Sequence, residues 1–289
     1  MEIYNAFARL YDRCMDNVPY DDWMSFIETA FRKAGVPEGG IIVELGCGTG
    51  EMAGRLREHG YDVIGVDGSE EMLSAAVEKE YDWVDRELER AGLGGDGVSA
   101  DNGVEDELIS KLSERMVTYL QQDLRNLDLY GTAAAMVSVC DTLNYITDTC
   151  ELTEIFRRVN RFLDRDGLFV FDLKTETYFR DVLGDNVRAE DYGDAVMLWD
   201  NHYDSSAKFN EYRVSVFEEN EDGLYRRSDE VHVQRAFSVE EIKECLARAG
   251  LALVGMYDGY SDRPADAKTE RLVVIAREQF QNDKYYGES

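Results

Sequence analysis

The chain has 289 residues, of which 44% are hydrophobic and 11% aromatic, and its 60 acidic and 31 basic residues give a formal net charge of −29. This length and apolar content predict a folded globular protein that needs no covalent cross-links, and they exclude a disordered chain. So negative a charge repels polyanions, which counts against binding to nucleic acids or to anionic membranes.

Cysteine usage and hydropathy indicate the compartment. The five cysteines are an odd number at wide spacings without a C-x-x-C pair, so neither a disulfide framework nor a metal site is predicted. No apolar run approaches the roughly 20 residues that a membrane span requires, and the first residues carry charges throughout. We therefore expect a cytoplasmic protein that does not enter a membrane.

Helices and strands alternate in the first part of the chain. A helix is predicted over 21–34, where apolar side chains recur at helical spacing and Asp21 or Asp22 is available as the N-cap. A strand over 41–45 follows, then a glycine-rich turn, a second helix, and a second strand that ends at Asp67. This order is typical of βαβ units.

Residues 78–115 interrupt the alternation, because they are dense in charge and contain a glycine cluster. They predict an extended helix, a loop and a second helical piece, and we expect residues 92–104 to be mobile without ligand. The alternation then resumes with a strand near 116–121, a buried strand up to Cys140, a helix over 151–164 and a strand up to Leu173. A parallel sheet is therefore predicted.

From about residue 195 to 235 the hydrophobic period changes to two. The turn-rich segments DSSAK and NEDG divide this stretch into three pieces, which predicts an antiparallel meander inserted after the fifth strand. A capped helix and two closing strands complete the chain. We expect a single domain over 1–289, with 78–115 as an insert and 195–235 as a lid over the site.

The segment IIVELGCGTGEM, residues 41–52, places Gly46, Gly48 and Gly50 between a strand and a helix. Such a turn offers backbone N–H groups and the positive end of a helix to a ligand that approaches closely. The triphosphate-binding P-loop and the dinucleotide fingerprint both require glycine where Glu51 stands. The remaining pattern, with Asp67 ending the next strand, suits a ligand that has a ribose but no phosphate, such as S-adenosylmethionine.

These motifs support a family resemblance. VELGCGTG and VIGVDGSEEML resemble motifs I and II of the class I S-adenosylmethionine-dependent methyltransferases, and YLQQDLRNL, SVCDTLNYI, FLDRDGLFVFDL and AGLALVGMYDG are similar to later segments of that family. The resemblance covers most of residues 41–277. It implies an α/β fold with a Rossmann-like, seven-stranded, mostly parallel sheet, in which the antiparallel meander follows the fifth strand. YNAFARLYD and the meander resemble bacterial small-molecule methyltransferases.

The resemblance also implies a set of residues that bind S-adenosylmethionine. Carried over position by position, they are Tyr11 closing over the donor, Glu44, Gly46 and Gly48 at the methionine part, Asp67 at the ribose with Gly68 beside it, Met72 packing on the adenine, Asp123 at the adenine amino group, the Leu124 amide at a ring nitrogen, and the Cys140 carbonyl at the methionine ammonium.

The meander supplies the candidate acceptor residues. Methyl transfer from a sulfonium requires mainly alignment and exclusion of water, but a nearby base can take a proton from the acceptor. His232 is the candidate catalytic residue, because the strand period places it with Glu230 and Gln234 on one polar face. Alternation alone favours a solvated face at this place. The expected walls of the acceptor site are Trp199, Tyr203, Tyr212 and Tyr225.

The leading interpretation is an enzyme that methylates nitrogen or oxygen of a small molecule. A methyltransferase of RNA or protein is an alternative, although DTLNY stands where amino methylases of bases and glutamine carry [DNS]-P-P-[YFW]. A non-catalytic regulatory module that binds S-adenosylmethionine is the other alternative. The sequence indicates no oligomeric state.

Overall fold

The structure, a computed structural model, describes residues 8–93, 102–220, 222–279 and 284. Its helices are α1 (Ala8–Cys14), α2 (Tyr20–Ala34), α3 (Glu51–Glu58), α4 (Glu70–Arg90), α5 (Asn102–Ser113), α6 (Thr149–Phe162) and α7 (Val239–Ala249). Its strands are β1 (Ile41–Leu45), β2 (Asp62–Asp67), β3 (Thr118–Gln121), β4 (Ala133–Ser138), β5 (Leu163–Lys174), β6 (Asn186–Asp191), β7 (Ala195–Asp204), β8 (Phe209–Glu219), β9 (Tyr225–Arg235), β10 (Leu251–Asp258) and β11 (Arg271–Glu278).

The main sheet has seven strands in the order β10-β11-β5-β4-β1-β2-β3. β1 pairs in parallel with β2 and β4, β2 with β3, and β4 with β5, whereas β11 runs antiparallel to both β5 and β10. The predicted Rossmann-like, mostly parallel sheet is confirmed. Because β2 lies on one side of β1 and β4 on the other, a ligand crevice is expected at the carboxyl ends of these strands.

Helices cover both faces of the main sheet, and this explains the continuous apolar runs of its strands. On one face, α6 contributes Phe156, which packs against Phe169 and Phe171 of β5. On the other face, Ile27 and Phe31 of α2 belong to a second buried cluster with residues of α3 and the central strands. The sheet is therefore rigid beneath its carboxyl edge.

A second, antiparallel sheet contains β6, β7, β8 and β9 in sequence order. β7 to β9 occupy the region 195–235 in which the meander was predicted, and β6 extends the sheet by a strand that the sequence analysis did not predict. All six residues of β6 are exposed, so its sequence lacks the apolar alternation of a strand with one buried face. Leu10 of α1 packs against this sheet, in one cluster with Met197 of β7 and Val214 of β8.

The predicted insert begins within α4, which continues to Arg90, and includes α5. A buried ion pair between Arg57 and Glu80, 2.5 Å long, ties α4 to α3. Residues 94–101, the main part of the segment expected to be mobile, lie outside the described residues.

Two smaller points concern the helices. α2 begins one residue before Asp21, so Asp21 and Asp22 lie in its first turn and the N-cap is Pro19. They still favour the helix there, because negative charge in the first turn complements the helix dipole. Among the residues that the structure describes, none of the helices is both long and apolar enough to span a bilayer.

Candidate functional site

The glycine turn after β1 forms the floor of a cavity. Gly46, Gly48 and Gly50 have φ angles of 71°, 53° and 79°, which side chains rarely adopt. A Cβ atom on Gly46 would lie 2.1 Å from Cγ2 of Thr142, whereas one on Gly48 would meet no atom of the described residues within 4 Å. Gly46 therefore permits close packing of the turn, and Gly48 leaves its backbone open to the cavity.

Asp67 lies beside this turn at the end of β2. Its Oδ2 accepts a hydrogen bond from the Gly48 amide and its Oδ1 accepts one from the Ser69 amide, both at 2.9 Å. Burial raises the pKa of the Asp67 carboxyl, and the hydrogen bonds from backbone amides partly offset this rise. The carboxyl group thus fixes the glycine turn, and it keeps lone pairs that face the cavity.

Glu44 lies beneath the same turn. It is only 2% exposed, and its Oε2 has no hydrogen-bond partner among the described residues. Burial raises the pKa of Glu44 well above its ordinary value, and the charges of Asp67 and Glu51 raise it further. An unpaired buried acceptor is costly, so a hydrogen-bond donor brought by a ligand would be stabilised here.

The cavity above the turn, here called the glycine cavity, has a volume of about 640 Å³. It brings together every predicted donor-binding residue except Glu44, namely Tyr11, Gly46, Gly48, Asp67, Gly68, Met72, Asp123, Leu124 and Cys140. Their arrangement follows from the topology, because β1, β2, β3 and β4 all end at this edge of the sheet.

The segment after β3 forms one wall of the glycine cavity. Arg125 pairs with Asp123 through Nη2 and Oδ2 at 2.6 Å, and this guanidinium lowers the pKa of the Asp123 carboxyl. Leu124 begins a short 3₁₀ helix, so its amide has no acceptor within that helix. Asp123 is therefore ionised at neutral pH and stands next to an available backbone donor.

The turn after β4 has two successive residues in the left-handed region, Cys140 with φ 57° and Asp141 with φ 54°. Asp172 of β5 accepts hydrogen bonds from both of their amides, at 3.2 and 2.7 Å. Arg271 of β11 contacts Asp172 at 2.9 Å and Asp141 at 3.2 Å. Backbone strain of this kind persists where surrounding groups over-determine it. These charged groups hold Cys140 in the wall of the cavity.

A second cavity, here called the aromatic cavity, lies between the main sheet and the antiparallel sheet and has a volume of about 240 Å³. It shares Tyr11, Cys140 and Tyr145 with the glycine cavity. The other residues of its wall include Asp141, Lys174, Tyr178, Leu183, Arg188, Glu190, Trp199, Asn201 and Tyr212. The two cavities therefore meet at the three shared residues.

Of the four aromatic residues that the sequence suggested as acceptor walls, Trp199 and Tyr212 line the aromatic cavity. For Tyr203 and Tyr225 the prediction is wrong. Tyr203 lies four residues beyond Trp199 on β7 and stacks on Phe179, with ring centroids 5.8 Å apart. Tyr225 begins β9 and is 53% exposed. Tyr203 has the same strand parity as Trp199 and therefore lies on the same face of β7. It lies too far along the strand to line the cavity.

His232 of β9 is completely buried, which shows that the expectation of a solvated polar face is wrong. Its Nδ1 lies 3.0 Å from the Tyr145 hydroxyl, and its ring stacks on Tyr212 with centroids 4.7 Å apart. The outward positions are instead apolar, since Val231 and Val233 are 36% and 38% exposed. The polar face points inward because β9 packs on the 3₁₀ helix Thr142–Tyr145.

Several residues of the site were not predicted. Asp172 had a sequence signal, because an acid inside the apolar segment LFVFDL is costly unless it is paired. Tyr145 had none, since it meets His232 across 87 residues of chain. Contacts of that range depend on how the antiparallel sheet folds back over the main sheet.

The comparison with known proteins agrees with this geometry. A family model described as "Methyltransferase domain" matches residues 16–255. The protein named "Putative methyltransferase YqeM" of Bacillus subtilis (strain 168) is 34% identical over 276 residues, which cover 95% of this chain and 97% of that protein. The chain belongs to the class I S-adenosylmethionine-dependent methyltransferases.

Solved structures are similar to this methyltransferase over most of its length. A S-adenosylmethionine-dependent methyltransferase from Clostridium acetobutylicum ATCC 824 is 26% identical with a TM-score of 0.74, over 95% of this chain and 98% of that chain. The sugar N-methyltransferase KedS8 from Streptoalloteichus sp ATCC 53650 is 20% identical with a TM-score of 0.68, over 96% of this chain and 94% of that chain. The second likeness shows the fold.

The glycine cavity of the methyltransferase fits its methyl donor. Its volume of 640 Å³ is within the roughly 300–1,000 Å³ of typical small-molecule sites. It combines an open backbone at Gly48, the carboxyl groups of Asp67 and Asp123, and the apolar side chain of Met72, while the unpaired Glu44 oxygen lies beneath. Acidic and apolar groups suit a ligand with a ribose, an adenine and two cationic centres. Within the described ranges, no group of three or more His, Cys, Asp or Glu side chains is placed to hold a metal ion.

Proposed function

We propose that this methyltransferase transfers the methyl group of S-adenosylmethionine to a nitrogen or oxygen atom of a small molecule held in the aromatic cavity. The observation that carries the proposal is the junction of the two cavities at Tyr11, Cys140 and Tyr145. An acceptor in the aromatic cavity lies next to a donor in the glycine cavity. The aromatic cavity, at 240 Å³, is below the usual range of small-molecule sites, which suits a small acceptor or one part of a larger one.

The donor is proposed to bind along the carboxyl edge of β4, β1, β2 and β3. Asp67 would accept hydrogen bonds from the ribose hydroxyls, and Met72 would pack on the adenine. Asp123 would accept a hydrogen bond from the adenine amino group, and the Leu124 amide would donate one to a ring nitrogen. The Cys140 carbonyl would accept a hydrogen bond from the methionine ammonium. Gly46, Gly48 and Gly68 would border the methionine and ribose, Glu44 would act from beneath the turn, and Tyr11 would close over the donor.

When bound, the donor supplies a sulfonium methyl group that is already activated for in-line displacement. The residues of this chain then have to align the acceptor and exclude water. α1 and the antiparallel sheet can do both, because Tyr11 of α1 and Trp199 and Tyr212 of the sheet enclose the aromatic cavity. The sheet over 195–235, extended by β6, is proposed to act as the lid that determines acceptor choice.

Composition and wall chemistry favour a polar acceptor. Tyrosine and tryptophan side chains offer apolar faces with polar tips, and Asn201 adds an amide. The net charge of −29 attracts neutral or cationic acceptors more readily than phosphorylated ones. The name of the structural neighbour KedS8 describes a sugar N-methyltransferase, and an amine of comparable size is consistent with the volume.

The alternatives are methylation of RNA or protein and a regulatory module without turnover. To distinguish them, the protein is incubated with S-adenosylmethionine carrying a tritiated methyl group and with separate low-mass, RNA and protein fractions of a bacterial lysate. Label in the low-mass fraction supports the proposal. Label in RNA or protein contradicts it, and tight donor binding without label in any fraction indicates a regulatory module.

A cavity-filling variant locates the acceptor. Leu183 lines the aromatic cavity, and Leu224, which is 65% exposed, offers a matched position outside it. Leu183→Trp should abolish labelling of the low-mass fraction while calorimetry shows unchanged binding of S-adenosylhomocysteine. Leu224→Trp should leave both unchanged. Equal labelling by both variants would place the acceptor elsewhere.

A further inference from the structure

β9 inverts the usual pattern of a surface strand. Its inward positions His232 and Gln234 are completely buried, while Val231 and Val233 between them are partly exposed. Turning the strand over would bury two valines instead, so the observed arrangement costs free energy that packing alone does not explain. Local conflicts of this kind are typical of functional sites.

The buried polar groups around His232 form a connected chain. Tyr145 Oη lies 3.0 Å from His232 Nδ1, and Glu230 Oε2 lies 3.4 Å from His232 Nε2. Tyr212 hydrogen-bonds to the Tyr145 hydroxyl and stacks on the His232 ring with an interplanar angle of 6°. The Glu230 side chain is 8% exposed, whereas Tyr145 is only partly buried.

The chain of groups has a direction. Either hydroxyl of the Tyr145–Tyr212 pair can be the donor, and the relay assigns the Tyr212 proton to this hydrogen bond because the Tyr145 proton is directed to His232. In the relay, Tyr145 donates to Nδ1 of His232, while His232 Nε2 lies 3.4 Å from Glu230 Oε2 without hydrogen-bond geometry, so this carboxylate faces the ring as a nearby charge.

Tyr145 is the member of this chain that lines both cavities. We propose that Tyr145, His232 and Glu230 form a proton relay that deprotonates the methyl acceptor at the junction of the two cavities. The acceptor is accordingly a molecule whose reacting hydroxyl or ammonium group has to lose a proton. This inference rests on the proposed small-molecule methyl transfer and assigns the residues that serve it.

The proton and electron balance of the step is as follows. The acceptor atom forms a bond to the donor methyl carbon while the carbon–sulfur bond breaks and its electron pair remains on sulfur. The acceptor proton passes to Tyr145 Oη as the Tyr145 proton passes to His232 Nδ1, and the positive charge formed on the imidazole ring faces Glu230. Return of the proton to solvent after product release restores the neutral histidine.

Tyr145 is the catalytic residue in this scheme, since it meets the acceptor, and Glu230 is a positioning residue behind His232. Among the described residues, the titratable groups that face His232 are Tyr145 from the 3₁₀ helix, Tyr212 from β8 and Glu230 from β9. Asp141 and Tyr178 act on the neighbouring Tyr212 through their charges.

The first test determines the tautomer of His232 and does not require measurement of enzymatic activity. The chain has three histidines, so nitrogen-15 labelling of histidine gives three ring spectra, and His232→Gln identifies the one in question. At pH 8 we expect the Nε2–H tautomer in the wild-type protein. In Tyr145→Phe, the fraction of the Nδ1–H tautomer should increase. A wild-type ring protonated at Nδ1 would overturn the relay, since that atom could not accept from Tyr145.

The second test reads turnover, with the low-mass lysate fraction as the source of acceptor and saturating tritiated S-adenosylmethionine. Tyr145→Phe and His232→Gln should lower kcat by about 100- to 10,000-fold, as expected for loss of general-base catalysis. Glu230→Gln should lower it by less. Binding of S-adenosylhomocysteine, measured by calorimetry, should remain within twofold of wild type for all three variants.

The pH profile separates catalysis from a structural role. If His232 is the final proton acceptor of the relay, His232→Gln should change the acid side of the wild-type kcat profile. His202→Gln and Tyr225→Phe change exposed residues of the same sheet and should retain the wild-type profile. Transfer that is unaffected by Tyr145→Phe would overturn the relay alone. Absence of any transfer by the wild-type protein would instead overturn the proposed function on which the relay rests.

Discussion

At the scale of single residues, Asp67 joins the glycine turn to the proposed donor site. Its two oxygens accept hydrogen bonds from the amides of Gly48 and Ser69, and burial favours its use as an acceptor of further bonds. Asp67→Ala should weaken binding of S-adenosylmethionine by about 1–3 kcal/mol, because hydrogen bonds to ribose and to the turn are lost. Calorimetry on the folded variant measures this change.

Asp62 offers the control for that experiment. It begins the same strand but is exposed, so Asp62→Ala should bind the donor as the wild-type protein does. If Asp67→Ala were folded and bound the donor with unchanged affinity, Asp67 would have no part in the ribose site.

Glu44 should make stability depend on pH in an unusual direction. Burial raises its pKa well above the ordinary value of about 4.3, so the folded protein favours the protonated form. Its contribution is therefore fully present below about pH 4.3 and is lost as pH rises towards the higher pKa of the folded state. Glu44→Gln, which mimics the protonated form, should raise the melting temperature relative to wild type at pH 7 to 8 but not at pH 4.

The exposed Glu78 on α4 serves as the reference, and Glu78→Gln should show no such pH-dependent difference. If the melting temperature of Glu44→Gln stays at or below the wild-type value across this range, burial of the ionised Glu44 carboxyl group does not destabilise the folded protein. Thermal unfolding without donor is the appropriate measurement, since a cationic ligand would favour the ionised form.

The structure brings the residues predicted around the glycine turn, except Glu44, to one cavity because they belong to contiguous motifs. Parallel strands that end at the same edge bring such motifs together without any knowledge of side-chain packing. Sequence reasoning failed for Tyr203, because strand parity gives the face of a residue but not its place over the cavity. It also missed Tyr145 as a partner of His232, since that contact joins elements 87 residues apart.

At the scale of elements, α1 connects the two cavities to the rest of the fold. Asp12 accepts a hydrogen bond from Thr49 of the glycine turn at 2.5 Å and forms an ion pair with Lys79 of α4 at 2.6 Å. This clamp holds Tyr11 where it lines both cavities. Asp12→Ala should accelerate hydrogen exchange of α1 about tenfold, as expected for loss of one charge-assisted hydrogen bond.

The same variant should weaken donor binding, because Tyr11 is no longer held over the glycine cavity. Asp16 is exposed just after α1, and Asp16→Ala should change neither exchange nor affinity. Unchanged exchange of α1 in Asp12→Ala would mean that its packing on the antiparallel sheet through Leu10 is sufficient to hold it.

The antiparallel sheet shows why element prediction was incomplete. Strands β7 to β9 have a period of two and were predicted, whereas β6 is exposed along its entire length and gives no such signal. The period alone could not reveal which face of β9 is buried. That choice depends on the 3₁₀ helix Thr142–Tyr145. The Tyr145 hydroxyl meets His232 of β9 only after the antiparallel sheet folds over the main sheet.

At the scale of the whole molecule, a buried ionic network joins the two sheets. Arg271 of β11 contacts Asp172 of β5 and Asp141 of the turn after β4, and Gln234 of β9 donates to Asp141 at 2.9 Å. Burial alone would raise the pKa of Asp141, but Lys174 and Arg271 outweigh it and hold that pKa below its ordinary value. The network thereby couples the strained turn of the site to β9 of the antiparallel sheet.

Arg271→Met should therefore destabilise the fold by about 3–5 kcal/mol at pH 7, because it leaves two buried carboxylates without their guanidinium partner. The loss should be smaller at pH 5, since Asp141 in the variant keeps only Lys174 of the two cations that lower its pKa and takes up a proton more readily than in the wild-type protein. Urea unfolding at both pH values measures the difference.

Arg263 is the control for this experiment. It pairs with Asp258 at 2.9 Å but is 76% exposed, so Arg263→Met should cost less than about 1 kcal/mol. Equal effects of the two substitutions would show that the network at Arg271 is solvated like a surface ion pair. The coupling between the antiparallel sheet and the cavity would then have to come from the apolar contacts of α1.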